Sequence, residues 1–525
     1  MPTKQNDSPI EAINIQLETH CSQRSSLPFI LPILQNLSLS DAESSMIYLS
    51  KKLDIPPVEI SSLISFFNRS NSPSGRQTDV RLCKSMGFHK NQIKDIAQAL
   101  QTKLNLGFGE TSADGNCSLR WAACADDPQL SPMLWVNDQV YTQVKVEELD
   151  EILSNNSNQD SQSKIMHSST FTDGLFFSEL KPELAIKSIL KKVVLNPNRA
   201  KSDVLVCNVD EGEPLAQKSR FLLTKYFPLV MEGMLINAFV AGIERGLIYL
   251  PNRYGYLKAN LEHELSELRK RNLLGVDILG WKGFNFDVEV LVGLGDYVGR
   301  EESALAAFLK GYRPEFDARG ISTLPYRILA VDQFLKIAYL AANSPYNIKN
   351  VELESCQLPA IVSISGDCGQ PGIYQVQNGM RIRELLQRVG ADDACVLQIG
   401  GISAPLKTAE DFDQIINPFD LQQAASIIVY GPQTDLLEAV KDILSFFHET
   451  SCGQCVPCRN GIPVLMKSLQ AYAGGKKMRP ALPEIRSLAE TIQLASKCRL
   501  GQCAPNAFLS VLEIAEQDLR GGMLA

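Results

Sequence analysis

Residues 450–461 read Thr-Ser-Cys-Gly-Gln-Cys-Val-Pro-Cys-Arg-Asn-Gly and hold three cysteines, Cys452, Cys455 and Cys458, at C-x2-C-x2-C spacing. A fourth, Cys498, follows forty residues after Cys458. Zinc usually takes its thiolates as two separated pairs. Three cysteines in one loop with a remote fourth suit a cubane, in which each iron takes one thiolate. We therefore predict a [4Fe–4S] cluster on these four cysteines, with zinc or a redox-inert cysteine group as the alternatives.

The composition is that of an ordinary globular protein with several domains. The chain has 525 residues, 45% hydrophobic and 21% charged, and this length predicts roughly three or four domains. Its net charge of −8 argues against a nucleic-acid binder or a polybasic membrane anchor. No apolar run reaches membrane-spanning length, and the polar N-terminus lacks the apolar core of a secretory signal. Thirteen cysteines in such a chain indicate a reducing compartment, so we expect a cytoplasmic protein.

Composition and periodicity predict an α/β multidomain protein. The N-terminal part shows a helix, strand, helix, strand, strand, helix order, and an Asn/Ser/Gln-rich stretch after it is typical of a linker. Strands then alternate with helices, which favours an α/β layer fold. The predicted segments are a flexible leader (1–26), a thioredoxin-like domain (27–153), a linker (154–175), an α/β domain (176–350), a ubiquitin-like β-grasp domain (351–435) and a helical domain around the cysteine loop (436–525).

Two further motifs lie in the predicted α/β domain. The first is an acidic turn at 208–214, Asn-Val-Asp-Glu-Gly-Glu-Pro, directly after a predicted strand. The second is a glycine turn at 293–297, Gly-Leu-Gly-Asp-Tyr, which leads into a helix that opens with Glu301 and Glu302. Carboxylates also suit helix N-termini and solvated turns. Capping therefore stays open as an alternative to ligand binding at both motifs.

These motifs resemble those of one family. The cysteine loop, the spacing to Cys498 and the acidic turn are similar to the NADH-oxidising flavoprotein subunit of NADH:quinone oxidoreductase (complex I) and its relatives in NAD-linked hydrogenases and formate dehydrogenases. Residues 27–153 resemble the companion thioredoxin-like [2Fe–2S] subunit, so the chain looks like the fused form of the two. In that family NADH passes a hydride to FMN, and single electrons leave through a [4Fe–4S] cluster, because a flavin can couple a two-electron donor to one-electron carriers.

The resemblance implies roles for particular residues. The four cysteines of the C-terminal segment match the cluster ligands. The acidic turn matches a flavin-contacting turn, with its last acid on the nicotinamide side, and the glycine turn matches a second flavin-pocket turn. The implied cofactor contacts are Asn208, Asp210, Glu211, Glu213, Gly293, Gly295, Tyr297, Glu301 and Glu302.

The sequence departs from the family at the cofactor pocket. Residues 193–202 stand where the family has a glycine-rich loop and contain no glycine, although glycines let backbone N–H groups close on a phosphate. The family's Cys-Gly-Glu-Glu becomes Gly-Arg-Glu-Glu at 299–302, which puts Arg300 where a bare backbone is expected. Residues 330–333 read Ala-Val-Asp-Gln instead of Asn-Val-Glu-Thr. Lost polar partners leave buried groups unpaired, so we expect no tight binding of FMN or NAD(H).

The [2Fe–2S] motif departs in the same way. The family uses two cysteine pairs, C-x4-C and C-x3-C, one pair for each iron. Cys83 and Cys124 occupy the first position of each pair, but Phe88 and Pro128 occupy the second. Neither side chain can ligate iron. We therefore expect no [2Fe–2S] cluster, and a thioredoxin-like domain that serves as an interface.

Taken together, these features predict an iron–sulfur electron-transfer subunit that works with the iron–sulfur and catalytic subunits of a larger soluble oxidoreductase, without nucleic acid or membrane insertion. Two alternatives stay open. One is an active FMN-dependent NADH:acceptor oxidoreductase (diaphorase) subunit whose flavin is held by replacement contacts. The other is a scaffold in which the cluster only holds the C-terminal helices together. The missing glycine loop favours the first prediction.

Overall fold

Three β-sheets and the helices around them form the part of the chain that the structure describes. It is a computed structural model, and the residues it describes are 9–20, 22–35, 37, 39–70, 78–84, 90–123, 130–137, 139–154, 171–173, 203–295, 297–317, 325–343, 359–417, 421, 425–474 and 482–521. The glycine-free stretch 193–202 and residues 88, 124 and 128 lie outside these ranges.

Four helices open the chain and pack away from the first sheet. They are α1 (Pro9–Thr19), α2 (Leu27–Gln35), α3 (Leu39–Leu53) and α4 (Pro57–Ser70). The prediction of a flexible leader is wrong for α1, because Ile13 and Leu17 are buried on one face of that helix. These helices share a hydrophobic core with Phe308 and with Cys452 of the cysteine loop. Helices α1 to α4, which we call the N-terminal arm, therefore pack in the same hydrophobic core as the cysteine loop.

The first sheet has the predicted thioredoxin-like arrangement. Its strand order is β2-β1-β3-β4, with β1 parallel to β2 and antiparallel to β3, and with β3 and β4 forming a hairpin. The hairpin's second strand was not predicted from the sequence. The elements are β1 (Thr78–Lys84), α5 (Lys90–Leu104), β2 (Cys117–Ala123), β3 (Leu134–Val136), β4 (Gln139–Tyr141) and α6 (Leu149–Ser154).

A fully parallel sheet, of order β8-β7-β6-β9, forms the centre of the molecule. Its strands are β6 (Val204–Asn208), β7 (Arg245–Leu250), β8 (Asp287–Val292) and β9 (Tyr326–Ala330). The accompanying helices are α7 (Lys218–Lys225), α8 (Phe227–Ala241), α9 (Lys258–Lys270), α10 (Glu302–Leu309) and α11 (Val331–Asn343). Helices α8 and α11 touch at Gly233, where a Cβ would lie 2.1 Å from the carbonyl oxygen of Phe334.

A mixed six-stranded sheet, of order β13-β12-β14-β10-β11-β5, forms the β-grasp region. Its edge strand β5 (Phe171–Asp173) falls within the segment predicted as a linker and pairs in parallel with β11. The remaining elements are β10 (Ala360–Gly366), β11 (Gly372–Val376), α12 (Ile382–Arg388), β12 (Val396–Ile399), β13 (Leu406–Thr408) and β14 (Ser426–Tyr430).

The C-terminal region is helical around the cysteine loop, as predicted. Asp435 caps the first helix, since its carboxylate accepts hydrogen bonds from the backbone N–H groups of Leu437 and Glu438. At Gly461 a Cβ would lie 2.5 Å from Ile492, so the second and third helices are in close contact. The helices are α13 (Leu436–Thr450), α14 (Val456–Ala473), α15 (Leu482–Ala495), α16 (Arg499–Cys503) and α17 (Pro505–Gly521).

Candidate functional site

The four C-terminal cysteines lie at the ends of packed helices. Cys452 and Cys455 are in the loop between α13 and α14, Cys458 is in the first turn of α14, and Cys498 directly precedes α16. Three of them are buried, while Cys455 is partly exposed. At Gly501 a Cβ would lie 3.0 Å from the Cβ of Cys458. This close approach brings the segment that carries Cys498 against the cysteine loop.

Burial sets the chemistry of these thiols. It raises the pKa of Cys458 to about 11 and that of Cys498 to about 12, and the thiol of Cys452 beside both adds to the rise. The pKa of Cys452 is raised by burial as well. A thiolate is the form that ligates metal, and a bound cation favours that form. The protein surroundings alone keep these thiols protonated near neutral pH, so the site depends on cationic charge to ionise.

Hydrogen-bond donors already surround the sulfur atoms. The backbone N–H of Gln454 faces Cys452, and those of Leu500 and Gly501 face Cys498. The hydroxyl of Ser451 lies 3.3 Å from the Sγ of Cys458. Donors of this kind stabilise ligating sulfur and tune an iron–sulfur centre. The donor set therefore fits a cluster held by the four cysteines.

The loop is also tied to its surroundings through its backbone. Arg313 donates to the carbonyl oxygen of Cys452 at 2.9 Å, and Arg459 donates to that of Gly453 at 2.8 Å. The amide of Gln454 donates to Glu315 at 2.8 Å. Among the described residues, no three His, Cys, Asp or Glu side chains are placed to share one metal ion. A four-iron cluster differs from a single ion in that each thiolate binds its own iron.

The second group of predicted residues lies at the carboxyl ends of the parallel strands. The acidic turn follows β6 and the glycine turn follows β8, two strands of the same sheet. In open α/β sheets this edge is where ligands bind. The side chain of Asn208 accepts from the backbone N–H of Asp210 at 2.9 Å, so it braces its own turn. The predicted residues of the two turns are thus brought together by the sheet.

Each carboxylate of the acidic turn faces a cation of the same chain. Arg253 lies 3.4 Å from Asp210, and Lys218 is the cation beside Glu211. The backbone N–H of Ser219 donates to Glu211 at 3.1 Å. Burial raises the pKa of Asp210 and of Glu211, and the neighbouring cations oppose that rise. The sequence-based prediction missed both cations, which come from after β7 and from α7.

Arg300 completes this pairing at the third carboxylate. Its guanidinium lies 3.4 Å from Glu213, and its side chain packs on Gly212, where a Cβ would lie 2.8 Å from the Cβ of Arg300. Ser403 of the β-grasp region donates a hydrogen bond to Glu213 and lies 3.0 Å from the hydroxyl of Tyr297. Burial raises the pKa of Glu213, and Arg300 and Ser403 lower it. Arg300, at which the sequence departs from the family, therefore covers the acidic turn.

Three buried carboxylate oxygens of the turn have no hydrogen-bond partner within the described part of the chain. They are Oδ2 of Asp210, Oε2 of Glu211 and Oε2 of Glu213. A buried acceptor without a donor costs free energy, roughly 1–3 kcal/mol for each group. These oxygens can accept from N–H or O–H groups of a ligand, so the turn keeps acceptor capacity despite its internal ion pairs.

The remaining predicted residues differ in position. At Gly293 a Cβ would meet the Tyr249 ring at 2.3 Å, which shows a packing role, while Gly295 has the backbone nitrogen of Asn252 as its nearest neighbour at 3.7 Å. Glu301 faces the cysteine segment, where its carboxylate accepts from the backbone N–H of Arg499 at 3.3 Å. Glu302 is the first residue of α10 and is exposed, and partial desolvation by the surrounding chain together with the charge of Glu301 raises its pKa.

The residues at 330–333 also follow a strand of this sheet, β9. Asp332 is buried between Lys218 and Lys336, each 3.2 Å from its carboxylate. Burial alone would raise the pKa of Asp332, but the two ammonium groups together hold it below its usual range. Lys218 therefore links Asp332 to Glu211 of the acidic turn. Asp332 is thus part of an ion-pair network formed by residues of this chain.

In the thioredoxin-like domain, Cys83 is the next-to-last residue of β1 and is fully buried. The backbone N–H of Met133 donates to its sulfur at 3.3 Å, and Ser131 Oγ lies 3.9 Å away. Lys84, the next residue, pairs with Glu449 of α13 at 3.2 Å. The end of β1 therefore lies beside the helix that enters the cysteine loop.

Comparisons with known proteins agree with this arrangement. Family models match in three consecutive pieces: a thioredoxin-like [2Fe-2S] ferredoxin at 13–157, a Nuo51 FMN-binding domain at 189–328, and the NADH-ubiquinone oxidoreductase-F iron-sulfur binding region at 438–520. The chain therefore resembles the NADH dehydrogenase flavoprotein subunits. It resembles a fused form of them, because the thioredoxin-like piece precedes the flavoprotein pieces in one polypeptide.

Individual relatives are similar to this chain over more than half of its length. The NAD-reducing hydrogenase HoxS subunit alpha of Cupriavidus necator is 29% identical over 97% of this chain and 93% of that protein. The NADP-reducing hydrogenase subunit HndC of Solidesulfovibrio fructosivorans is 29% identical over 60% of this chain and 68% of that protein. A crystal structure of an NAD+-reducing [NiFe]-hydrogenase in the H2-reduced state gives a TM-score of 0.77 at 22% identity, covering 91% of this chain and 89% of that one. This last likeness shows the shared fold.

No helix within the described residues is long and apolar enough to cross a membrane. The predicted fold classes, the iron–sulfur and oxidoreductase character and the family resemblance are confirmed by the matches. The matches include an FMN-binding domain and a [2Fe–2S] domain as well. The expected loss of FMN, NAD(H) and the [2Fe–2S] cluster therefore stays a prediction.

Proposed function

We propose that this chain is an electron-transfer subunit of a multi-subunit oxidoreductase, with a [4Fe–4S] cluster on Cys452, Cys455, Cys458 and Cys498 and without a tightly bound FMN or NADH of its own. When bound, such a cluster accepts and gives one electron at a time. The chain's own residues would hold it through four thiolates, donate N–H groups to the sulfur atoms and exclude water from three of the four. The names of the relatives, all subunits of hydrogenases or quinone reductases, support a partner complex with further iron–sulfur and catalytic subunits.

The observation that carries the flavin part of this proposal is the position of Arg300. Its side chain lies on Gly212 and pairs with Glu213, so the bare backbone beside the acidic turn is covered. With Arg253 and Lys218 at the other two carboxylates, the turn is neutralised without a ligand. A flat cofactor on this turn would have to displace the Arg300 side chain and break its ion pair.

A second candidate is an FMN-dependent NADH:acceptor oxidoreductase subunit. The three carboxylate oxygens without partners favour it, because ligand N–H and O–H groups could satisfy them. The match to an FMN-binding domain at 189–328 is consistent with it.

Acid-released flavin and iron per chain, measured on protein purified without oxygen, test the two candidates. About four irons and no flavin support the electron-transfer subunit. One FMN with four irons, followed by NADH-dependent reduction of a dye, would establish the second candidate instead. About six irons would show a [2Fe–2S] cluster in the thioredoxin-like domain. Absence of iron would contradict both candidates and leave a scaffold.

A further inference from the structure

Two buried serines flank the cysteine site, and their hydroxyl groups differ in what they contact. Ser451 lies in the cysteine loop, with its hydroxyl 3.3 Å from the Sγ of Cys458. That hydroxyl also accepts a hydrogen bond from the backbone N–H of Gly453 at 3.2 Å. Ser496 lies two residues before Cys498 and is only 4% exposed. Its Oγ is buried and has no hydrogen-bond partner within the described part of the chain.

The backbone of Ser496 is held on both sides, so only its hydroxyl is left over. Its N–H donates to the carbonyl oxygen of Ile492 at 3.2 Å, and its carbonyl oxygen accepts from the amide of Gln502 at 3.0 Å. Hydroxyl groups on helices often donate to the carbonyl oxygen four residues earlier, as those of Thr450 and Ser510 do. In the described structure, Ser496 makes no such bond. A buried hydroxyl without a partner costs free energy, and an acceptor beside it would recover that cost.

The packing of Gly501 places the Ser496 hydroxyl beside the cysteine ligands. A Cβ built on Gly501 would lie 3.0 Å from the Cβ of Cys458 and 2.5 Å from that of Ser496, and its nearest neighbour is the Ser496 Oγ. The backbone N–H of the same glycine faces Cys498. Only a residue without a side chain allows this approach. The hydroxyl therefore lies where the segments that carry the third and fourth ligands meet.

We propose that the Ser496 hydroxyl donates a hydrogen bond to a sulfur atom of the cluster and thereby raises the reduction potential of that cluster. This inference rests on the proposed [4Fe–4S] centre and names a residue that adjusts it. Reduction adds one negative charge to the cluster, and a hydrogen bond to a more negative acceptor is stronger. The donor therefore stabilises the reduced form more than the oxidised form. Hydrogen bonds to the sulfur atoms are one of the factors that set the potential of iron–sulfur clusters.

Charged side chains of both signs also border the site. Arg313 and Arg459 donate to backbone carbonyl oxygens of the cysteine loop. Glu315 and Glu301 lie near enough to act on the Cys452 and Cys498 thiols, and Glu449 is three residues before Cys452. Replacement of a serine by alanine leaves all these charges in place. A change of potential in such a variant therefore reports on the hydroxyl.

The test compares reduction potentials of the iron-loaded, full-length protein and its variants, reduced stepwise with dithionite without oxygen and followed by electron paramagnetic resonance. Ser496→Ala should make the reduced form about tenfold less favoured, which lowers the potential by about 59 mV for a one-electron couple. Ser451→Ala should shift the potential in the same direction, because that hydroxyl lies at the sulfur of Cys458.

Ser468→Ala is the matched control. Its Oγ is also buried and without a partner in the described chain, and the residue is 1% exposed. It lies on α14 ten residues after Cys458, about 15 Å along the helix. We expect this variant to keep the wild-type potential, because its hydroxyl is too far away to reach the cluster.

Ser496→Thr keeps the hydroxyl and adds one methyl group, so it separates the hydroxyl from the space that the side chain fills. Its iron content and potential should stay near those of the wild type. A wild-type potential in Ser496→Ala, or an equal fall in the Ser468 control, would overturn this inference and leave the proposed function in place. Loss of iron in both Ser496 variants would also overturn it, since the position would then act by packing. Loss in the alanine variant alone supports the role of the hydroxyl. Wild-type protein without iron would overturn the proposed function and this inference together.

Discussion

Glu213 depends on Arg300 and Ser403 for its charge, because its side chain has no contact with solvent. Arg300→Ala removes the only cation paired with it in the described structure, and breaking a mostly buried pair should lower the free energy of unfolding by about 2–3 kcal/mol at pH 8. Burial already raises the pKa of Glu213, and loss of Arg300 raises it further. The folded variant then binds a proton that the unfolded chain releases, so its stability falls as pH rises through that range.

Chemical denaturation at pH 5.5 and pH 8 measures this effect. The deficit of Arg300→Ala should be larger at pH 8 than at pH 5.5. Adding Glu213→Gln removes the unpaired charge, so the double variant should recover part of the loss at pH 8. Equal deficits at the two pH values, with no recovery in the double variant, would show that Arg300 acts by packing alone.

Cys498 and Cys503 offer a matched pair of buried thiols five residues apart. Cys498 faces the cysteine loop, whereas Cys503 has Arg499, Glu213 and Arg300 as its electrostatic neighbours and so faces the acidic turn. We expect Cys498→Ala to lose most of the iron and the visible absorption of the cluster, and Cys503→Ala to keep about four irons. Iron loss in the Cys503 variant with retention in the Cys498 variant would reverse the ligand assignment.

At the scale of elements, the contact between α8 and α11 has no room for a side chain at Gly233. A Cβ there would lie 2.1 Å from a backbone oxygen of α11, which cannot move without shifting the helix. Gly233→Ala should therefore lower the free energy of unfolding by about 3 kcal/mol or more, the range of severe overpacking. The control is Gly255→Ala, whose Cβ would make an ordinary 3.4 Å contact with Val292. Denaturation curves that show equal stability for both variants would contradict this account.

The strands and helices with clear periodicity were predictable from the sequence, and those that depend on distant partners were not. Strand β6 is an apolar run before the acidic turn, and the structure has a strand there, as predicted. Strand β12 was missed because Gln398 interrupts its apolar pattern. That side chain is buried, and its polar atoms are paired: Nε2 donates to the carbonyl oxygen of Ala404, and Oε1 accepts from the hydroxyl of Tyr430. Short strand β5 was missed because the strand it pairs with, β11, is two hundred residues away in the sequence.

The candidate site shows the same division. The cysteine spacing alone gave four thiols that the fold brings to one place, since three share a loop and the fourth is placed by the contact of Gly501 with Cys458. Arg253 could not be predicted, because the pairing of β7 with β6 brings it to the acidic turn. Lys218 is only seven residues after Glu211, but its position beside that carboxylate depends on how the chain folds between the turn and α7. The departure at Arg300 was visible in the sequence, but its pairing with Glu213 required the fold.

At the scale of the whole molecule, the N-terminal arm and the C-terminal cysteine domain share one core. Phe67 of α4 stacks on Phe308 of α10, with ring centroids 6.4 Å apart. Phe67→Ala should lower the free energy of unfolding by about 3–5 kcal/mol, the usual cost for a buried phenylalanine. Thermal melts followed by far-ultraviolet circular dichroism and by cluster absorption should shift down together. A cluster signal that keeps its wild-type melting temperature would show that the arm folds independently.

The path of the chain between Cys458 and Cys498 gives the cluster a second consequence. Those two residues are forty positions apart in sequence and come from helices that pack together. A cluster bound to both would act as a covalent cross-link that closes a loop of this length, and loop-closure entropy assigns such a link about 4 kcal/mol against the unfolded chain. Insertion of the cluster would therefore stabilise the C-terminal domain while the protein is being made. In a cell short of iron, the chain would accumulate with a less stable C-terminal domain, open to proteases before it reaches any partner.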